Sequence, residues 1–201
     1  EESFRQAIVL KSDFAEAHSN LGITLKKLGR LEESEACYRL AISLKSDFAE
    51  AYSNLGNTLQ DQGELEEAEE SYRQAVSLKS DLAEAHRHLA LMKKFDKRDE
   101  QFLQMQALSL DESCSEEQHC HLNFALAKAF EDLGDFKQSF ECYRKGNTLR
   151  KKLLNYDISQ DIEMFKQLKT SYPRIKQKTL VANSIPNKLT PIFIVGMPRS
   201  G

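Results

Sequence analysis

The sequence predicts an all-α fold: a solenoid of helical hairpins (an α-α superhelix) with a C-terminal capping helix and a short extended tail. Three observations lead there. Ser12–Lys45 reads SDFAEAHSNLGITLKKLGRLEESEACYRLAISLK, and Ser46–Lys79 reads SDFAEAYSNLGNTLQDQGELEEAEESYRQAVSLK; the two align without a gap and agree at about two thirds of positions. Within each unit the large residues fall three and four apart, which places them on one face of a helix. Each unit also has a glycine, Gly29 or Gly63, where its first helix must stop. Glycine takes the left-handed C-terminal conformation there without strain. A 34-residue period marks stacked units that bury their apolar faces against one another.

The elements follow in order. Phe4–Lys11 (FRQAIVLK) matches Tyr38–Lys45 and Tyr72–Lys79, so residues 1–11 are expected to be the second helix of a partial repeat. Repeats follow at 12–45 and 46–79, with Asp13, Asp47 and Asp81 just ahead of helix starts as expected caps. Residues 80–111 begin as a third unit (SDLAEAHRHLAL) but run two residues short and lack the glycine turn, which predicts an irregular repeat with a helix near Asp99–Leu110. Ser115-x-x-Gln118 is a capping box, and it opens a regular repeat over 115–154. Residues 155–172 are expected to form a further helix capped by Asp157, its Ile158, Ile162, Phe165, Leu168 and Tyr172 covering the array's last apolar edge. Residues 173–190, rich in Pro, Asn, Ser and Lys, read as a linker.

These units resemble the tetratricopeptide repeat (TPR). The first has His18-x-x-Leu21-Gly22-x-x-Leu25, then Gly29, Ser34, Tyr38 and Ala41. The second has Tyr52-x-x-Leu55-Gly56-x-x-Leu59, then Gly63, Ala68, Tyr72 and Ala75. Small residues such as Gly22, Gly56 and Ala68 let paired helices approach closely. The family's Pro near the repeat end is Ser46 and Ser80 here.

Composition narrows the function classes. The 201 residues are 40% hydrophobic and 29% charged, with no apolar run long enough to cross a membrane. No basic start followed by an apolar run marks a signal peptide. Residues Glu1–Tyr143 hold 16 Lys and Arg against 28 Asp and Glu, a charge of −12; Arg144–Gly201 holds 12 against 3, or +9. Such asymmetry suggests a phosphate-bearing ligand at the basic end or a solvated tail. No nucleic-acid-reading motif accompanies it, so no nucleic-acid partner is expected. Cys37, Cys114, Cys120 and Cys142 form no C-x-x-C pair, which points to a reducing, cytoplasmic setting. Cys114, His119, Cys120 and His121 lie too close along one helix to share a tetrahedral ion, so no metal is expected.

The end of the chain, PIFIVGMPRSG over 191–201, resembles the start of a sulfotransferase domain, where a buried strand runs into a loop of the form P-R-S-G-T-[TS]. That resemblance implies 3′-phosphoadenosine 5′-phosphosulfate (PAPS) as sulfuryl donor. It assigns Arg199 as the basic contact, Ser200 and Gly201 as loop donors and Pro198 as the residue shaping the turn. Loop amides and the following helix's positive end suit an anion. Together with the repeats, the chain resembles the TPR–sulfotransferase proteins of bacteria, with the catalytic machinery expected downstream of Gly201 and none in this stretch. The alternative is a stand-alone TPR adaptor. Another phosphate-binding domain would need a G-K-[ST] ending that this loop lacks. A loose strand at 192–195 is expected to pair with whatever is available, including a second copy.

For the repeats, the expected partner is a protein or peptide held in the groove lined by the first helices. Asn20 and Asn54 stand one repeat apart in the shared S-N-L-G. In TPR arrays of the O-GlcNAc-transferase type, Asn at this position forms a ladder along a peptide backbone, a task suited to an amide that donates and accepts. The alternative is an amide satisfying a local backbone group. His88 and Ala125 end the ladder after two rungs. A chaperone-type carboxylate clamp is disfavoured by Glu16, Glu50 and Glu84 at likely groove positions.

Overall fold

A computed structural model describes residues 1–180 as ten α-helices: α1 (Glu2–Leu10), α2 (Ala15–Lys27), α3 (Leu31–Leu44), α4 (Ala49–Gln62), α5 (Leu65–Leu78), α6 (Ala83–Met92), α7 (Glu100–Leu110), α8 (Glu116–Asp132), α9 (Phe136–Leu153) and α10 (Ile158–Leu180). The chain divides into one unit of Glu1–Asn155 and a second from Tyr156 onward. No helix among the described residues is long and apolar enough to cross a membrane.

The hairpins α2–α3, α4–α5 and α8–α9 turn at Gly29, Gly63 and Gly134, whose φ angles of 75°, 88° and 77° lie in the left-handed region. A side chain there would be strained, so the glycine is the stop signal as well as the hinge. What fixes the spacing of α2 from α3, and of α4 from α5, is a tyrosine laid on a glycine. A Cβ on Gly22 would meet Tyr38 Cζ at 2.8 Å, and one on Gly56 would meet Tyr72 Cε1 at 2.7 Å. Both rings are buried, Tyr72 completely. A hydrogen bond reinforces the first pair: buried Ser34 Oγ donates to the carbonyl of Gly22 at 2.8 Å.

Three expectations meet differences. The aspartates do not cap: the residues at the helix starts are Phe14, Phe48 and Leu82, and none makes a side-chain cap bond. The chain enters each first helix one residue later than Asp13, Asp47 and Asp81 would need. By contrast, Asp99 caps α7 through Phe102 N (3.0 Å), and the Ser115–Gln118 box closes in both directions at 2.8 and 3.2 Å. The second difference is that α10 runs on to Leu180, eight residues past the expected 172. Pro173 lacks an N–H for the helix ladder, yet RIKQKTL beyond it is mostly good helix-forming sequence. Along α10, Ile158, Ile162, Phe165, Leu168 and Tyr172 are all exposed. Asp157 Oδ1 accepts from Ser159 N at its start (2.7 Å).

The third difference lies in the irregular repeat. α6 stops at Met92, and α7 barely touches it; α8 packs along α6 instead. Between them, Lys93–Asp99 drives Phe95 into the core with 1% exposure. α8 holds this loop: Asp132 Oδ2 accepts from Phe95 N (2.9 Å), and Lys128 Nζ donates to the Lys93 carbonyl (2.7 Å). Phe102 and Phe130 meet edge to face with centroids 5.2 Å apart, and the Arg98 guanidinium lies over both rings.

Replacing Gly56 by Ala tests the tyrosine-on-glycine contact. In an exposed helix that change is stabilising by about 1 kcal/mol. Here the new methyl meets a fully buried ring, and a loss of about 1–3 kcal/mol is expected from overpacking. A urea midpoint that holds or rises would show that α4 and α5 can part at no cost.

Candidate functional site

The first helices of successive repeats lie side by side, and their facing positions recur every 34 residues. Asn20 on α2 is exposed and Asn54 on α4 half-buried. Their backbone carbonyls accept the hydroxyls of Thr24 and Thr58, at 3.0 and 3.1 Å. Neither side-chain amide has a hydrogen-bond partner among the described residues, so neither is spent on a local backbone group. Lys26 joins Asp61 at 3.2 Å across the two helices.

Between α4 and α6 the same face carries a polar network absent from the sequence-based expectations. The Tyr72 hydroxyl donates to Asn57 Oδ1 (2.7 Å) and lies 3.1 Å from Gln60 Oε1. His88, standing where Asn20 and Asn54 stand in the earlier repeats, stacks on Tyr72 with centroids 4.9 Å apart. Its Nδ1 donates to Gln60 Oε1 (3.2 Å), and its Nε2 faces Arg87 Nη2 at 3.2 Å. Arg87 Nε is buried without a hydrogen-bond partner. The one signal in the sequence is positional: Arg87 replaces Ser19 and Ser53, and His88 replaces the asparagines.

Glu84 belongs to the same network. Asn57 Nδ2 donates to its Oε1 at 3.3 Å, and His88 Nε2 stands 3.9 Å away, an ion pair when the imidazole is protonated. His88 foremost, with His121 and Asn57 adding to it, outweighs burial and holds the Glu84 carboxyl down at about 2. Burial first, then Arg87, pushes the His121 imidazole below its usual range. Burial also lowers His86, whose Nε2 bonds the Ser80 carbonyl at 2.9 Å while Nδ1 has no partner.

The other candidate residues stay apart. Among the described residues no three His, Cys, Asp or Glu side chains are placed to hold a metal ion. Cys37 and Cys142 are half-buried, and burial raises both thiols; Cys120 is buried with Sγ 3.5 Å from the Gly146 carbonyl. Pro198, Arg199, Ser200 and Gly201 lie outside the described residues.

Family models described as "Tetratricopeptide repeat" match residues 13–81 and 121–153, together just over half of the chain. The chain belongs to the tetratricopeptide-repeat family. An uncharacterized protein of Aquifex aeolicus (strain VF5) is 31% identical over 117 residues, or 55% of this chain; the match spans only 14% of that relative's length. Among solved structures, PilF of Pseudomonas aeruginosa superposes with a TM-score of 0.56 at 20% identity, over 82% of this chain and 72% of PilF. YrrB, a TPR protein with an unusual peptide-binding site, gives 0.51 at 18% identity over 77% and 85%. MamA gives 0.51 at 18% identity over 77% and 89%. At such identities the likeness is one of TPR fold.

Acid unfolding isolates the Glu84 contribution. A carboxyl held below its ordinary value adds stability in full at neutral pH and loses it as pH falls toward the folded value. Between an ordinary glutamate pKa of about 4.3 and the Glu84 value of about 2, the wild-type urea midpoint is expected to fall more steeply than that of Glu84→Gln. Identical slopes would leave the carboxylate uncoupled from folding.

Proposed function

We propose that this TPR array binds an extended peptide along its first helices, and that it serves as the recognition segment of a PAPS-dependent sulfotransferase. The observation that carries the first half is the pair of partnerless amides, Asn20 and Asn54, one repeat apart on the same face. An amide offers a donor and an acceptor, which matches a peptide unit's N–H and C=O. Such contacts read backbone and tolerate varied side chains, a mode suited to recognition more than to chemistry.

The second half rests on the resemblance of 191–201 to the phosphosulfate loop, with Arg199 as the charged contact and Pro198, Ser200 and Gly201 around it. In this reading the array presents a protein substrate or anchors the enzyme in a cytoplasmic assembly, and sulfuryl transfer belongs to the downstream domain. A second reading is an adaptor that binds peptides and carries no enzyme; the fold shared with YrrB, a TPR protein with a peptide-binding site, favours it equally.

Two measurements separate these readings. Selecting peptides from a displayed random library against the chain is expected to yield binders that Asn20→Ala/Asn54→Ala weakens by at least about tenfold, two or more amide hydrogen bonds at roughly 1 kcal/mol each, with the melting temperature nearly unchanged. Equal loss of stability would make the asparagines structural. Calorimetry with PAPS on the chain extended through its natural downstream sequence is expected to show saturable binding that Arg199→Ala removes. Absence of PAPS binding there would leave the adaptor.

A further inference from the structure

The first two repeats neutralise the same glutamate in the same way. Lys45 is the C-cap of α3, and its Nζ donates to Glu16 at the start of α2 (3.0 Å). Lys79 is the C-cap of α5, and its Nζ donates to Glu50 at the start of α4 (2.8 Å). A lysine there also complements the negative end of its helix. Glu84 is the third member of the series, 34 residues after Glu50. The C-cap of α7 is Asp111, and its carboxylate is engaged in the turn, accepting from Ser113 N at 2.8 Å. An acid thus stands at the C-cap where α3 and α5 carry lysine, and α7 does not pair with α6 as those helices pair with α2 and α4. Without that partner Glu84 turns to Asn57 and His88, on the face that carries Asn20 and Asn54.

We propose that Glu84 is the seat for a primary ammonium carried by the groove's ligand, a lysine side chain or a peptide's terminal amine. The inference rests on the reading of this face as a peptide-binding groove. Its template is internal: the chain shows twice, at 2.8 and 3.0 Å, how an ammonium sits on this glutamate. The side chain keeps 42% of its surface exposed, so the carboxylate is reachable. The neighbouring cation is Arg87, bonded to His88 and beside His121. Against it stands the −12 charge of Glu1–Tyr143, which draws basic ligands in and turns acidic ones away. Asp111 and Asp81 add negative charge around Cys114, whose thiol is raised first by burial and then by these two carboxylates.

The test uses the full chain and N-acetylated nine-residue Ala/Ser peptide pools, one with a fixed lysine and one with norleucine in its place, read by fluorescence anisotropy. The lysine pool is expected to bind about fivefold more tightly, the size of a partly exposed ion pair. That preference should disappear in Glu84→Gln and persist in Glu50→Gln. A norleucine pool with a free amino terminus that matches the lysine pool would assign the seat to a terminal amine. A preference that survives Glu84→Gln, or none in the wild type while binding still depends on Asn20 and Asn54, overturns the ammonium seat alone. Binding of neither pool, or binding indifferent to Asn20→Ala/Asn54→Ala, overturns the groove reading and the seat with it.

Discussion

The repeats depend on one close approach, a tyrosine ring resting on the bare backbone of a glycine. Tyr38 on Gly22 and Tyr72 on Gly56 leave no room for even a methyl group. That contact sets how near the second helix of a hairpin comes to the first, and so where the next hairpin can stack. The buried alanines nearby, Ala41, Ala68 and Ala75, belong to the same constraint, since helices this close admit only small side chains at the crossing. The third unit lacks the contact and stacks differently, although α8–α9, with Ala127 at the glycine position, pairs regularly without it. In the third unit Ala90 stands at the glycine position, no tyrosine faces it from α7, and α6 packs against α8. Phe95 from the loop and Phe102 from α7 pack into the core with α8 residues such as Leu126 and Phe130.

The hairpins were legible in the sequence because their determinants are local. Gly29 and Gly63 stop helices through their own φ angles, and the Ser115–Gln118 box closes within four residues. The expected Asp caps fail for an equally local reason. Asp13, Asp47 and Asp81 sit one residue too early, with Phe14, Phe48 and Leu82 between them and the helix. The length of α10 was hidden by Pro173, which marks a break more often than it makes one. The network of Asn57, Gln60, Tyr72, Glu84 and His88 was not legible, because it forms across helices brought together by stacking rather than along any one of them. Comparison of equivalent positions is the signal that exposes it: His88 against two asparagines, Arg87 against two serines, Asp111 against two lysines.

Those three replacements fall together, and packing explains why they act as one. A His88 ring stacked on Tyr72 and held by Gln60 has no free donor–acceptor pair, so it ends the run of amides that Asn20 and Asn54 begin. The same stacking brings its Nε2 toward Arg87 and Glu84, which gathers charge at the point where the neutral run stops. A ligand laid along this face would meet sequence-tolerant amides on α2 and α4 and charged groups on α6. In the proposed reading, affinity would be spread over the first two repeats and selectivity concentrated in the third. The shortened unit that drops the glycine, the tyrosine and the C-cap lysine makes one position in the array unlike the others, and in the proposed reading that position would select the ligand.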